Sequence, residues 1–109
     1  MKAEQGDSVR FVIAHELIGL RCEVMESPNR FEVGLAGEIV DETMRTLVIQ
    51  TENGMKRIPK HGRTFGVWYK GHKLKLSGNL IEYRPEDRIK RGIMLIKRQK
   101  GNLREKCRR

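Results

Sequence analysis

Apolar residues recur with a helical period near both ends of this chain and with a period of two through its centre. Residues 7–18 carry apolar side chains at helical spacing, which predicts a short helix that ends before Gly19. The apolar stripe of this helix consists of Val9, Val12, Ile13 and Leu17. Such a stripe needs a second surface to cover it.

The centre of the chain predicts strands joined by tight turns. Alternating or β-branched segments cover residues 20–27, 33–42, 46–51, 55–59, 64–69 and 72–77. Asn53-Gly54 is a strong hairpin signal, and Lys70-Gly71 separates the last two strands. Glycines within the second strand indicate a bend. We predict a mainly β fold, a small, strongly bent Sm-like or SH3-like β-barrel with a short N-terminal helix and a C-terminal helix. Strand spacing alone does not distinguish it from an OB barrel.

The C-terminal segment returns to a helical pattern over residues 85–100. Pro85 suits the first helical position, and Glu86 and Asp87 follow where the helix dipole favours acidic side chains. Gly92 weakens this helix by about 1 kcal/mol relative to Ala, so we expect the helix to need a partner surface. Its apolar stripe consists of Ile89, Ile93 and Ile96.

The length of 109 residues indicates one domain, 1–109, with a barrel core over residues 20–80. We predict that residues 1–6 and 101–109 are disordered tails. Hydrophobic residues make up 38% of the chain, which is enough for one small core but not for a deep cleft. The start of the chain lacks the apolar segment of a signal peptide, and no apolar run approaches the ~20 residues of a membrane span. We therefore expect a cytoplasmic protein that makes no membrane contact.

Charge is distributed unevenly along the chain, whose net charge is +9. Residues 1–55 hold 5 Lys+Arg and 10 Asp+Glu, a net of −5, whereas residues 56–109 hold 18 and 4, a net of +14. The positive side chains of residues 56–109 repel one another, and a polyanion such as nucleic acid relieves this repulsion. Only 6% of the residues are aromatic, which favours contacts to the phosphates of a folded RNA over stacking on single-stranded bases.

The candidate RNA-binding residues are basic or histidine side chains in the second half of the chain. They are Lys56, Arg57, Lys60, His61, Arg63, Lys70, Lys73, Arg84, Arg88, Lys90 and Arg91. The candidate surface for a protein partner is formed by the apolar stripes of the two predicted helices. These stripes contain Val9, Val12, Ile13, Leu17, Ile89, Ile93 and Ile96.

Candidate catalytic groups are few. Adjacent strand residues point to opposite faces, so we do not expect Asp41 and Glu42 to act as a pair. The histidines share no metal-ligand spacing, and the two cysteines form no C-x-x-C pair. We expect no catalytic residue, metal or other cofactor in this chain. The residues alone leave two other functions open: a ribosomal or translation-associated RNA-binding barrel, and a stand-alone nuclease.

Four stretches in fixed order resemble one known family. They are "HELIGL" (15–20), "VGLAGEIVDET" (33–43), "TLVIQTENGMKRIPKHGRTF" (46–65) and "RPEDRIK" (84–90). The chain resembles ribonuclease P protein component 1, the archaeal form of a ribonuclease P subunit shared with eukaryotes. A bulky Phe31 departs from the smaller polar residues expected at that position.

The resemblance implies a function as well as an Sm-like barrel with flanking helices. Members of this family are accessory subunits of ribonuclease P, a ribonucleoprotein endoribonuclease that removes the 5′ leader of precursor tRNA. Its RNA subunit carries the catalytic Mg²⁺ ions. The implied partners are the ribonuclease P RNA, precursor tRNA indirectly, the zinc-binding ribonuclease P protein component 4 and other protein subunits.

Overall fold

The computed structural model of this protein describes the backbone of residues 11–108 and the side chains of residues 11–97. Six strands form a single antiparallel sheet in the order β4-β3-β2-β1-β5-β6. They are β1 (Arg21–Glu26), β2 (Ala36–Glu42), β3 (Thr46–Thr51), β4 (Gly54–Pro59), β5 (Thr64–Tyr69) and β6 (His72–Ser77). All six predicted strands are present, but β2 begins later than predicted. Gly34 has a φ of 92°, a left-handed conformation that strand residues do not adopt.

The sheet bends into a barrel-like fold. Register shifts interrupt β1 after Val24 and β2 after Ile39, and such bulges increase the local bend and twist. Beyond the edge strands β4 and β6, the backbones of Lys60 and Gly78 meet so closely that a Cβ on Gly78 would lie 1.7 Å from the Lys60 carbonyl oxygen. The two ends of the sheet therefore converge at this point. Inward-facing side chains from all six strands form one core: Cys22, Val24, Ile39, Leu47, Ile49, Ile58, Phe65, Val67, Leu74 and Leu76.

Both predicted hairpins are present, but the turn of the first lies one residue earlier than the predicted Asn53-Gly54. In the β3–β4 hairpin, Gly54 pairs with Thr51 and has a φ of 107°. In the β5–β6 hairpin, Lys70 and Gly71 have φ angles of 51° and 82°, as a type I′ turn requires. Because this turn fixes the register of β5 and β6, it also fixes which of their side chains face outward.

The N-terminal segment differs from its prediction. Residues 11–13 are helical, but the chain then turns, so the predicted helix over 7–18 is wrong in its C-terminal part. The carbonyl oxygens of Ile13 and His15 accept hydrogen bonds from the Arg88 side chain instead of continuing a helix. The first part of the predicted helix and the predicted tail over 1–6 lie outside the described residues.

A 3-10 helix (Gly78–Ile81) follows β6 and leads into the helix α1 (Pro85–Arg108). Helix α1 begins where predicted but continues past the expected end at residue 100, into the segment that we predicted as a disordered tail. Leu, Arg, Glu and Lys occupy residues 103–106, and all four are strong helix formers. In its N-terminal third, α1 crosses the N-terminal segment at Gly92, where a Cβ would lie 2.5 Å from the backbone nitrogen of Ala14.

Candidate nucleic-acid interface

Two of the candidate RNA-binding residues, Lys60 and Arg88, are buried around the carboxylate of Glu42. The side chains of all three residues are 0% exposed. Lys60 Nζ donates to Glu42 Oε2 over 2.9 Å, and Arg88 donates from Nε and Nη2 to the two carboxylate oxygens over 2.8 Å each. A buried cation whose donors are occupied does not reach a phosphate. The prediction of RNA contacts is therefore wrong for Lys60 and Arg88.

The remaining donors of the two cations hold backbone carbonyls from distant parts of the chain. Lys60 Nζ donates to the carbonyl of Ile81 over 2.8 Å, just before α1. Arg88 Nη1 donates to the carbonyls of Ile13 and His15 over 2.6 and 2.7 Å. This ion cluster, which we define as Glu42, Lys60 and Arg88, therefore ties β2, the end of β4, α1 and the N-terminal segment together.

The ion cluster contains one carboxylate and two cationic side chains. Burial lowers the pKa of Lys60 below its usual 10.5, although the hydrogen bond and negative charge of Glu42 oppose that shift. Within the described residues, every buried side-chain nitrogen and oxygen has a hydrogen-bond partner. Because the network is fully satisfied, removal of its single anion would leave two buried charges without compensation.

A bulge in β2 explains why the sequence did not reveal the role of Glu42. Strict alternation from Ile39 would place Asp41, not Glu42, on the inner face. The register shift after Ile39 instead places Glu42 opposite Leu47, where its side chain is buried, and leaves Asp41 exposed. A single sequence carries no dependable signal for the position of such a bulge.

Arg63 and His61 lie in the loop between β4 and β5 and differ in accessibility. Arg63 Nε donates to Glu32 Oε1 over 3.0 Å, and the Arg63 side chain is only 17% exposed. Burial raises the pKa of Glu32, but hydrogen bonds from Arg63 and Ser27 outweigh it and hold that pKa below its usual 4.5. His61 is exposed and lies 3.3 Å from Glu82. Arg63 therefore anchors the β1–β2 loop, whereas His61 stays accessible.

The other candidate RNA-binding residues are exposed and occupy three elements. They are Lys56 and Arg57 on the edge strand β4, Lys70 and Lys73 on the β5–β6 hairpin, and Arg84, Lys90 and Arg91 around the start of α1. Lys73 is paired with Glu23 over 2.7 Å. The guanidinium of Arg91 lies 5.3 Å from the ring centroid of Tyr83. These elements present positive charge to solvent in positions where a phosphate has access.

The apolar stripe of the N-terminal segment is not free for a partner. Val12, Ile13 and Leu17 are 0%, 4% and 0% exposed, because they pack into the barrel core. The prediction of a partner surface is wrong for these three residues. Val9 lies outside the described residues.

Helix α1 does present apolar side chains to solvent. Ile93 and Met94 are 42% and 53% exposed, while Ile89 and Ile96 are partly buried. A groove of about 370 Å³ runs along this helix. Its lining residues are Tyr83, Asp87, Lys90, Arg91, Met94 and Leu95. The groove is lined by both apolar and charged side chains, a feature that the stripe of isoleucines did not indicate.

Asp41, Glu86 and Asp87 lie near the ends of predicted elements, and all three are exposed. Asp41 Oδ1 accepts a hydrogen bond from the backbone nitrogen of Glu42 over 2.9 Å. Glu86 and Asp87 are exposed in the first turn of α1. The described part of the chain brings no three His, Cys, Asp or Glu side chains into a metal-binding group. Among the described helices, none is long and apolar enough to cross a membrane.

Sequence similarity to known proteins extends over most of the chain. Residues 10–91 match the family model for ribonuclease P/MRP, subunit p29. The chain is 60% identical over 90 residues to ribonuclease P protein component 1 of Archaeoglobus fulgidus, covering 83% of this chain and 88% of that protein. It is 43% identical over 86 residues to the protein of the same name from Methanocaldococcus jannaschii, covering 78% of this chain and 90% of that protein.

A solved structure shares the fold. The structure of Mth11, a homologue of human RNase P protein Rpp29, superposes on this chain with a TM-score of 0.51 at 36% sequence identity. The superposition covers 69% of this chain and 99% of that one. The likeness in fold is therefore accompanied by substantial sequence similarity.

Proposed function

Because the chain belongs to the ribonuclease P/MRP subunit p29 family, we propose that it is an RNA-binding accessory subunit of ribonuclease P. In this role it binds the RNA subunit of the ribonucleoprotein that removes the 5′ leader of precursor tRNA. It would do so in the cytoplasm, together with other protein subunits.

The observation that supports RNA binding most is the accessibility of positive charge in the basic half of the chain. Among the described residues, only two basic side chains are buried, and both belong to the ion cluster. The exposed basic residues lie on β4, on the β5–β6 hairpin and at the start of α1. Each Lys or Arg that neutralises a phosphate releases condensed counterions, so the affinity for RNA should fall steeply with salt.

We assign the chemistry of leader removal to the RNA subunit and its Mg²⁺ ions. The most enclosed carboxylate of this chain, Glu42, already neutralises two cations and has no free oxygen to activate water. Asp41 is exposed, and general acid–base catalysis needs a positioned partner group in a pocket. The chain then contributes by binding and ordering RNA.

Cleavage assays test this division of labour. The isolated chain, incubated with precursor tRNA and Mg²⁺, should release no 5′ leader. Added to ribonuclease P RNA, it should raise the rate of leader removal at limiting Mg²⁺, because its cations take over part of the phosphate neutralisation. Leader release by the protein alone that disappears in Asp41→Asn would contradict the accessory role and support a stand-alone nuclease.

The groove along α1 supports a second part of the proposal, a contact with another protein subunit. Its exposed apolar residues would be covered there, and the zinc-binding ribonuclease P protein component 4 is the partner that the family resemblance implies. Met94→Gln should weaken co-elution of this chain with component 4 in size-exclusion chromatography, whereas Lys97→Gln, also exposed on α1, should not. Equal behaviour of the two variants would argue against the groove as the contact.

A further inference from the structure

We propose that the outer face of the β5–β6 hairpin binds an unpaired nucleotide of RNA, with the base stacked on Trp68 and the phosphates held by neighbouring cations. We call this face the Trp68 surface and define it as Arg21, Trp68 and Lys73. The proposal rests on the RNA-binding function proposed above and names the kind of RNA element that this part of the barrel accepts.

Strand register places Trp68 on the outside of the barrel. Val67 pairs with Cys22 on β1 and Leu74 on β6, and all three are buried in the core. Trp68, the next residue, pairs with Lys73, so both side chains point outward. Trp68 is partly exposed and is the one tryptophan of the chain.

Two cations lie over the indole ring of Trp68. Lys73 Nζ lies 4.9 Å from the ring centroid, and Arg21 Cζ lies 5.9 Å from it. Gly66, beside them, makes room for the lysine, because a Cβ there would lie 2.5 Å from Lys73 Cε. A base that stacks on Trp68 would take the place of one of these cations over the ring, and the displaced cation would then meet the phosphates.

The charges beside Arg21 limit where the RNA can lie. Arg21 borders a groove of about 520 Å³ whose other charged lining residues are Glu38 and Glu52. Those carboxylates repel phosphates, so the backbone of the bound strand would run from Arg21 towards Lys73 and away from this groove.

Acidic residues on the same face limit how much these cations strengthen phosphate binding. Lys73 is bonded to Glu23 over 2.7 Å, and Lys75 lies 3.3 Å from Glu26. Within the described residues, Arg21 takes part in no salt bridge, so its guanidinium can donate hydrogen bonds to a phosphate without losing a carboxylate. Because the ion pairs are exposed, they are weak and exchange readily for a phosphate contact.

The intrinsic fluorescence of Trp68 allows base stacking on it to be measured directly. A short single-stranded oligouridylate is titrated into the intact protein at low salt while the Trp68 fluorescence is recorded. We expect saturable quenching that weakens as salt is added, and no quenching by a double-stranded RNA of the same length, whose bases are not free to stack. Trp68→Leu should weaken oligouridylate binding about tenfold, measured with a labelled oligonucleotide, and Trp68→Phe should restore most of the affinity.

Phe31→Ala is the matched control, because Phe31 is 76% exposed and also carries an arginine, Arg30, over its ring at 5.2 Å. This variant should bind the oligonucleotide as the wild type does. Unchanged Trp68 fluorescence in a protein that binds ribonuclease P RNA would overturn the Trp68 surface and leave the proposed function intact. Loss of assembly with other protein subunits in Trp68→Leu, with oligonucleotide binding unchanged, would also overturn it, in favour of a protein contact.

Discussion

Replacement of Glu42 by Gln should cost this protein much of its stability. Gln has nearly the same size and keeps one acceptor, but it removes the charge that offsets both Lys60 and Arg88. The substitution weakens three hydrogen bonds to a charged acceptor, all between 2.8 and 2.9 Å. It also leaves two cations buried at 0% exposure with no anion beside them.

The size of this effect follows from the burial of the cluster. Removing one partner of a buried ion pair costs about 3–5 kcal/mol, mainly because the other charge stays desolvated. Because one carboxylate neutralises two cations here, we expect Glu42→Gln to lower the free energy of unfolding by about 4 kcal/mol. A domain of this length has a free energy of unfolding of roughly 5–15 kcal/mol, so the variant should be close to its folding limit.

Urea unfolding, followed by Trp68 fluorescence and far-ultraviolet circular dichroism, measures the loss. Glu38→Gln is the matched control, because Glu38 lies on the same strand but is exposed. The control should change the free energy of unfolding by less than about 0.5 kcal/mol. A loss below about 1 kcal/mol in Glu42→Gln would refute the reasoning, since it would mean that the cations are not desolvated as the structure shows.

Two further changes test how the loops and the terminal segments are held. Gly92→Ala should destabilise the protein by about 1–2 kcal/mol in urea unfolding, because its Cβ would press on Ala14 and outweigh the gain in helix propensity; a stabilised variant would contradict the close crossing. Since the folded-state pKa of Glu32 is lowered, its stabilising contribution is present above about pH 4.5 and is lost as the pH falls through that lowered pKa. Glu32→Gln should therefore lower stability at pH 7 but leave it nearly unchanged at strongly acidic pH, and an equal loss at both pH values would speak against the Glu32–Arg63 pair.

Much of the fold could be predicted from local patterns. The strands at 46–51, 64–69 and 72–77 have the predicted bounds, because β-branched and apolar side chains, alternation and turn chemistry all favour the same structure there. The family resemblance was also confirmed, by the family model and by relatives at 60% and 43% identity. Where the prediction was wrong, as after Ile13, a side chain distant in sequence decided the backbone conformation.

The candidate interface was harder to predict, because a basic side chain looks the same in sequence whether it is exposed or buried. Lys60 and Arg88 belong to the segments "PKHG" and "EDRIK", which resemble solvated loops and helix starts. Their burial depends on Glu42 turning inward at a bulge, and on carbonyls supplied by residues far away in the chain. The apolar stripe of the N-terminal segment was misassigned for a similar reason, since its spacing does not show whether the barrel or a partner covers it.

RNA binding by the exposed basic residues is the central claim, and a salt series of the affinity for ribonuclease P RNA tests it most directly. The logarithm of the association constant is measured against the logarithm of salt concentration for the wild type and for the double variant Lys56→Gln, Arg57→Gln. Both side chains are exposed on the edge strand β4. We predict a steep negative slope for the wild type and a slope reduced by about 1.4–1.8 in the double variant, because each lost phosphate contact removes roughly 0.7–0.9. Binding with no salt dependence, or no binding at all, would contradict the account.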